Sequence, residues 1–184
     1  MKKIIATAAL VFAACWALRA QEVSLSTNIA DYAALGTMNL EATYGFARHW
    51  SVNAGVKYNP FSFGEGEEAV QLRQRAVSAG ARFWPWHIYS GWWMGAKVQY
   101  QEFNEGGLLG NPETSEGDRY GTGLSAGYSR MLGKHFNLDF GLGLWAGYSV
   151  YTTYACQVCG HKVGSGSKYF VLPNDVILGI NYIF

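Results

Sequence analysis

The stretch NLDFGLGLWAGYSVY (137–151) alternates with a period of two residues almost without a break. Leu138, Phe140, Leu142, Leu144, Ala146, Tyr148 and Val150 fall on one face, and Asn137, Asp139, Gly141, Gly143, Trp145, Gly147 and Ser149 on the other. Successive side chains of a strand point to opposite faces, so this stretch is a β-strand with one apolar surface and one of small and polar groups. DVILGINYIF (175–184), WMGAKVQY (93–100) and RAVSAGARF (75–83) repeat the pattern. Eight such segments are expected, near 22–32, 39–47, 50–58, 74–84, 91–103, 119–131, 136–152 and 174–184. About ten residues per segment matches a tilted strand crossing a bilayer. A soluble sandwich also alternates, but its wet face is normally rich in Lys and Glu, and here that face carries Gly and Ser. The expected fold is all-β, an eight-stranded antiparallel up-and-down transmembrane β-barrel.

Connection lengths agree. With both termini periplasmic, every second connection must be short. RH (48–49), PWHIYS (85–90) and LGKH (132–135) take those places. The first outer connection is also short, near 33–38; the others, 59–74, 104–118 and 153–173, are longer and read as surface loops. Aromatic residues group at the strand ends, as expected of interfacial girdles. Trp50, Trp84, Trp86, Trp92, Phe136 and Phe184 form the periplasmic set; Tyr58, Tyr100, Phe103, Tyr120 and Tyr151 form the outer one. The chain ends GINYIF, similar to the C-terminal signal by which outer-membrane barrels are recognised for insertion.

Lys2, Lys3 and the apolar run IIATAALVFAACWAL read as a secretory signal peptide over residues 1–20, cleaved after Ala20, with the barrel over 21–184. A competing reading makes FAAC a lipoprotein box with Cys15 lipidated. A formal net charge of +1 gives no argument for nucleic acid as a partner. The expected location is the outer membrane, with lipid, including lipopolysaccharide, as a partner.

Eight strands leave an interior just wide enough to be filled by side chains. Glu41, Lys57, Arg82, Lys97, Asp139 and Asp175 face inward and are expected to form a paired charge network that plugs the lumen. Inward glycines make room for Trp93 and Trp145. GTGLSAG and GLGLWAG lack dinucleotide-binding spacing and lie within strands, so no cofactor is expected.

YACQVCGHKVGSGSK (154–168) falls in the last outer connection. Outside the cytosol, Cys156 and Cys159 read as a disulfide that shapes the loop tip. The alternatives are a metal site, with His161 as a third ligand and Glu116 or Asp118 completing it, and free or redox-active thiols. His161, Lys162 and Lys168 could dock a protein or hold lipopolysaccharide phosphates, and neighbouring connections supply Glu65, Glu67, Glu68, Glu113, Glu116 and Asp118.

The run CQVCGHKVGSGSKYFVLPNDVILGINYIF resembles the closing segment of an uncharacterised, domain-of-unknown-function family of outer-membrane barrels from Gram-negative gut and oral anaerobes. Thr27-Asn28, Asn39-Leu40-Glu41, Arg48-His49-Trp50-Ser51 and Tyr58-Asn59-Pro60 resemble that family's opening segment. After Pro173 this chain has Asn174-Asp175 where the family has Thr-Lys. The resemblance implies a barrel in the outer membrane, and gene adjacency to fimbriae implies an accessory role in surface assembly. The expected function is a non-catalytic anchor or accessory subunit for surface proteins. The alternative is a lipid- or small-ligand-binding barrel, or a lipid-modifying enzyme with His161 and Ser165, Ser167 or a cysteine at the outer rim.

Overall fold

The computed structural model describes residues 23–64, 70–107, 113–156 and 160–184. Its elements are β1 (Val23–Asn28), α1 (Ile29–Ala33), β2 (Met38–Ala47), β3 (Trp50–Asn59), β4 (Ser62–Phe63), β5 (Val70–Phe83), β6 (Gly91–Gly106), β7 (Thr114–Met131), β8 (Phe136–Tyr154) and β9 (Lys162–Ile183). β1, β2, β3, β5, β6, β7, β8 and β9 pair antiparallel in that order, and β9 pairs back onto β1. The chain therefore forms the closed eight-stranded barrel its alternation predicts. β4 stands outside the ring as a short arm on β5.

The register fixes the shape. Leu25 pairs directly with Tyr182. Followed the long way round through Ala42, Ala54, Ala79, Val98, Thr122 and Ala146, the same row reaches β9 at Val171. Those two positions are eleven residues apart. One residue belongs to a bulge at Pro173–Asn174, where Gly143 and Trp145 face Asp175 and Leu172. A stagger of ten residues around eight strands tilts each strand about 40° from the axis.

The outward faces carry a belt without charge. On β6 it runs from Trp92 through Met94, Ala96 and Val98 to Tyr100, and the next outward residue is Glu102. At about 3.3 Å per residue and this tilt, the belt is about 20 Å high before the ring widths are added. Leu124, Leu142 and Leu144 are among its most exposed members. Tyr100, Tyr120, Tyr148 and Tyr169 are cross-strand partners along its upper border.

Three girdle expectations fail, and each for the same reason: the residue stands on an inward position or folds into the lumen. Trp84 is fully buried, donating its indole N–H to Ser51 Oγ at 3.0 Å. Phe103 is buried beneath Arg119. Tyr151 pairs with the inward residues Gly117 and Gly166. Trp50, Trp86, Trp92, Phe136 and Phe184 remain exposed at the end carrying the short turns, and Tyr58, Tyr100 and Tyr120 at the opposite end, the mouth.

The 84–90 turn closes the turn end. Trp84 N–H donates to His49 O at 2.9 Å, and Ile88 N–H to Arg48 O at 3.0 Å. Tyr89, at φ 63°, and Gly91, at φ 76°, turn the chain back toward β6. The Tyr89 carbonyl accepts from Ser129 and Asn137 inside the barrel. Trp84, Ile88, Tyr89, Trp93 and Ile183 then form an apolar stopper.

The wall is uneven in height. β1, β2 and β3 have 6, 10 and 10 residues, whereas β7, β8 and β9 have 18, 19 and 22. Much of what was expected as surface loop is ladder. β6 and β7 pair up to Gly106–Thr114, and β9 pairs with β8 from Lys162. Alternation continues through Val163, Ser165, Ser167 and Tyr169, but with glycine and serine it carries no hydrophobic signal. The first strand errs the other way: it ends at Asn28, whose side chain caps α1 by accepting from Ala30 N–H at 3.3 Å.

Candidate functional site: the charged lumen and the raised wall

Glu41, Lys57, Arg82, Lys97, Asp139 and Asp175 converge in the middle of the lumen around a cavity of about 80 Å³. Asp175 stands immediately below the bulge and receives Lys97 Nζ at 2.5 Å and Lys57 Nζ at 3.5 Å. Arg82 bonds Glu41 Oε1 at 2.6 Å, lies 3.7 Å from Asp139 Oδ2, and stacks on Trp93 with its guanidinium carbon 4.6 Å from the ring. Asn53 donates to the other Glu41 oxygen at 2.8 Å. Each cation thus has at least one carboxylate, which is what permits charge in a low-dielectric interior.

Two groups in the lumen escape the sequence reading. Asp31, from α1, bonds Lys57 at 2.9 Å. Its signal was the Asn-x-x-Asp start of a short capped helix, hidden inside a stretch read as strand. The second is the Arg119–Glu105 pair, a fork–fork contact at 2.5 and 2.8 Å. Extending the inward parity of β6 by one more step would have found Glu105.

Glycine creates the space. Gly127 and Gly141 face each other across β7 and β8, and a Cβ on Gly127 would stand 2.5 Å from the Trp93 ring. Gly121 and Gly147 also pair. There the strands approach so closely that a Cβ on either would lie 2.1 Å from a carbonyl oxygen of the other strand. Trp145 packs edge-on against Phe170, at 4.6 Å between centroids, above the charges.

The mouth-end residues are distributed differently from the expected loop cluster. Lys162 opens β9, and Lys168 stands within that strand with Nζ 5.0 Å from the Tyr151 ring. The ladder from Tyr154–Lys162 downward straightens this segment, so the two lysines are strand residues. His161 is exposed and its carbonyl accepts from Ala155 N–H at 2.9 Å. Cys156 is buried and is not a free thiol; Cys159 lies outside the described residues, as do Glu65, Glu67 and Glu68. Among the described residues no His, Cys, Asp and Glu cluster could hold a metal ion. Glu116 accepts from Tyr154 at 2.8 Å, and this bond holds the Tyr154 phenol above the ordinary tyrosine pKa. His49 and His135 bond the carbonyls of Trp84 and Ile183, at the turn end.

Chemically, the lumen is an ion-paired plug, and the raised wall is a sheet surface beside it. No curated protein and no solved structure matches the chain. A family profile does, over residues 6–184, which is nearly its whole length. The chain belongs to the family described as protein of unknown function DUF3575.

Proposed function

We propose that this protein is a closed outer-membrane barrel that anchors or docks another surface protein and catalyses no reaction. The observation that carries the reading is the pairing of a charge-free outward belt with a lumen filled by charges bonded to one another. The belt suits hydrocarbon, and the filled lumen suits an anchor better than a channel. The wall from β5 to β9, standing above the belt, supplies surface beyond the membrane for a partner. Cys156 and Cys159 form a disulfide at its tip in this reading, and the partner belongs to a surface assembly of the fimbrial kind. Lipopolysaccharide phosphates near Lys162 and Lys168 are compatible with the same placement.

The test is fractionation of native membranes, gel mobility with and without heating, and affinity isolation in mild detergent. The reading expects outer-membrane recovery, a heat-dependent mobility shift and a stoichiometric surface protein in the eluate. In planar bilayers the pure barrel gives no sustained conductance. A selective, stable conductance, or recovery in the soluble fraction, overturns it.

A further inference from the structure

We infer that the open edge of β9 above the barrel mouth takes an extended acidic segment of a partner protein by strand addition. The inference deepens the docking role proposed above and rests on it.

β1 and β9 stay paired only as far as Asn28–Gly179. There the Asn28 side chain substitutes for the missing strand: its amide donates to Val176 O at 2.9 Å and accepts from Leu178 N–H at 2.8 Å. β1 then gives way to α1. From Leu172 up to Lys162, β9 pairs with β8 alone among the described residues. Every second residue of that segment turns its N–H and C=O away from β8, toward no strand among the described residues. The raised sheet has a second edge, on β5, and that one is covered by β4 through Ser62–Gln71 and Phe63–Val70. One edge is blocked and the other is open.

Lys162, Lys168 and a second bulge at Val163 confine the unprotected part of the edge to the four residues between them. Gly164, Ser165, Gly166 and Ser167 present neither bulk nor charge, and Pro173 lies below, in the bulge. An unguarded stretch of edge recruits strands. Tyr169, 85% exposed, offers an apolar surface at the foot of the edge.

The occupant follows from direction and charge. β9 runs toward the membrane, so the stronger, antiparallel ladder needs a segment running away from it. A second copy inserted the same way presents a β9 running in the same direction, which leaves only the weaker parallel pairing. A segment of another protein has no such constraint. Lys162 and Lys168 flank the edge, and neither forms an ion pair among the described residues. Lys168, opposite Ser149, stands on the inner face, and Lys162, opposite Tyr154 beyond a second bulge at Val163, on the outer one; a segment with an Asp or Glu at each end, on opposite faces, would meet both.

The experiment follows amide hydrogen exchange of Val163–Val171 in the refolded full barrel. The probes are a ten-residue Thr and Val peptide with two Glu five positions apart, so on opposite faces, the same peptide with Lys for Glu, and the Glu peptide N-methylated on alternate residues. Alone, the edge amides exchange rapidly. The Glu peptide slows them at least tenfold, the Lys peptide binds about tenfold more weakly, and the N-methylated peptide protects nothing. Edge amides already slow in the free protein, protection that rises with barrel concentration alone, or equal protection by all three peptides would overturn the inference. A barrel that reaches the outer membrane but takes no peptide retires this inference alone. Peptide uptake by a protein that never reaches that membrane retires the anchor reading alone.

Discussion

Replacing Asp175 with alanine should destabilise the barrel more than removing Lys97, the nearer of the two lysines that it binds. Asp175 receives Lys97 at 2.5 Å and Lys57 at 3.5 Å. Lys57 keeps a second carboxylate, Asp31 at 2.9 Å, whereas Lys97 has no other ion-pair partner among the described residues. Asp175→Ala therefore strands Lys97. Removing one partner of a buried pair costs about 3–5 kcal/mol, because the remaining charge keeps its desolvation penalty. The Lys97 side chain is 15% exposed and the cavity is polar, so the lower end applies, about 3 kcal/mol. Lys97→Met strands nothing, since Asp175 retains Lys57, and should cost about 1 kcal/mol. In Asp175→Ala/Lys97→Met the stranded cation is gone. The double variant should then be more stable than Asp175→Ala alone, with a coupling of about 2 kcal/mol.

Urea titration of the barrel in lipid vesicles, read by gel mobility and tryptophan emission, measures these differences. With a slope of about 1–3 kcal/mol per molar, the Asp175→Ala midpoint should fall by about 1 M or more. A midpoint within about 0.3 M of wild type would mean that water already screens the network. Strict additivity in the double variant would refute the claim that one charge stabilises by answering the other.

Trp84→Ala should open a void in the turn-end stopper and cost about 3–5 kcal/mol in the same titration, while Trp86→Ala, on an exposed ring, should change little. Gly121→Ala should prevent folding or lower the midpoint sharply, because its Cβ would meet Ala146 O at 2.1 Å, and Gly133→Ala, with nothing within 4 Å, should be silent. Ultraviolet titration should show a phenol ionising above the usual tyrosine range of about 10 that disappears in Tyr154→Phe. The sign follows from a pKa raised by folding: the stabilising contribution of the Glu116 bond is present below the unfolded pKa and is lost as pH rises through the folded one.

The fold was legible wherever one face of a strand had to be apolar. β8 could be read because Leu138 to Val150 announce the belt and Asn137 to Ser149 the lumen. The inward charges were legible for the same reason: parity alone puts Lys57, Arg82 and Lys97 on the lumen side. Above the belt that contrast vanishes. Lys162–Lys168 and Thr114–Asp118 are strands with water on one face and small or polar groups on the other, and they read as loops. Trp84 and Tyr151 misled because an aromatic at a strand end has two uses, and parity and the turn's hydrogen bonds decide between them.

The bulge at Pro173–Asn174 shows how one inserted residue joins these two regimes. Below it Asp175, Ile177, Gly179 and Asn181 face the lumen; above it Leu172, Phe170 and Lys168 do. Without the extra residue, the register that sets Asp175 between Lys57 and Lys97 would turn Tyr169 inward and Phe170 outward, away from Trp145. Proline suits the site, since a bulge leaves one residue outside the ladder and proline has no N–H to offer it. The device lies where β1 has already departed and Asn28 closes the gap. One short stretch of β9 thus sets the lumen's central acid, restores the parity of the raised wall, and begins the edge that stays open.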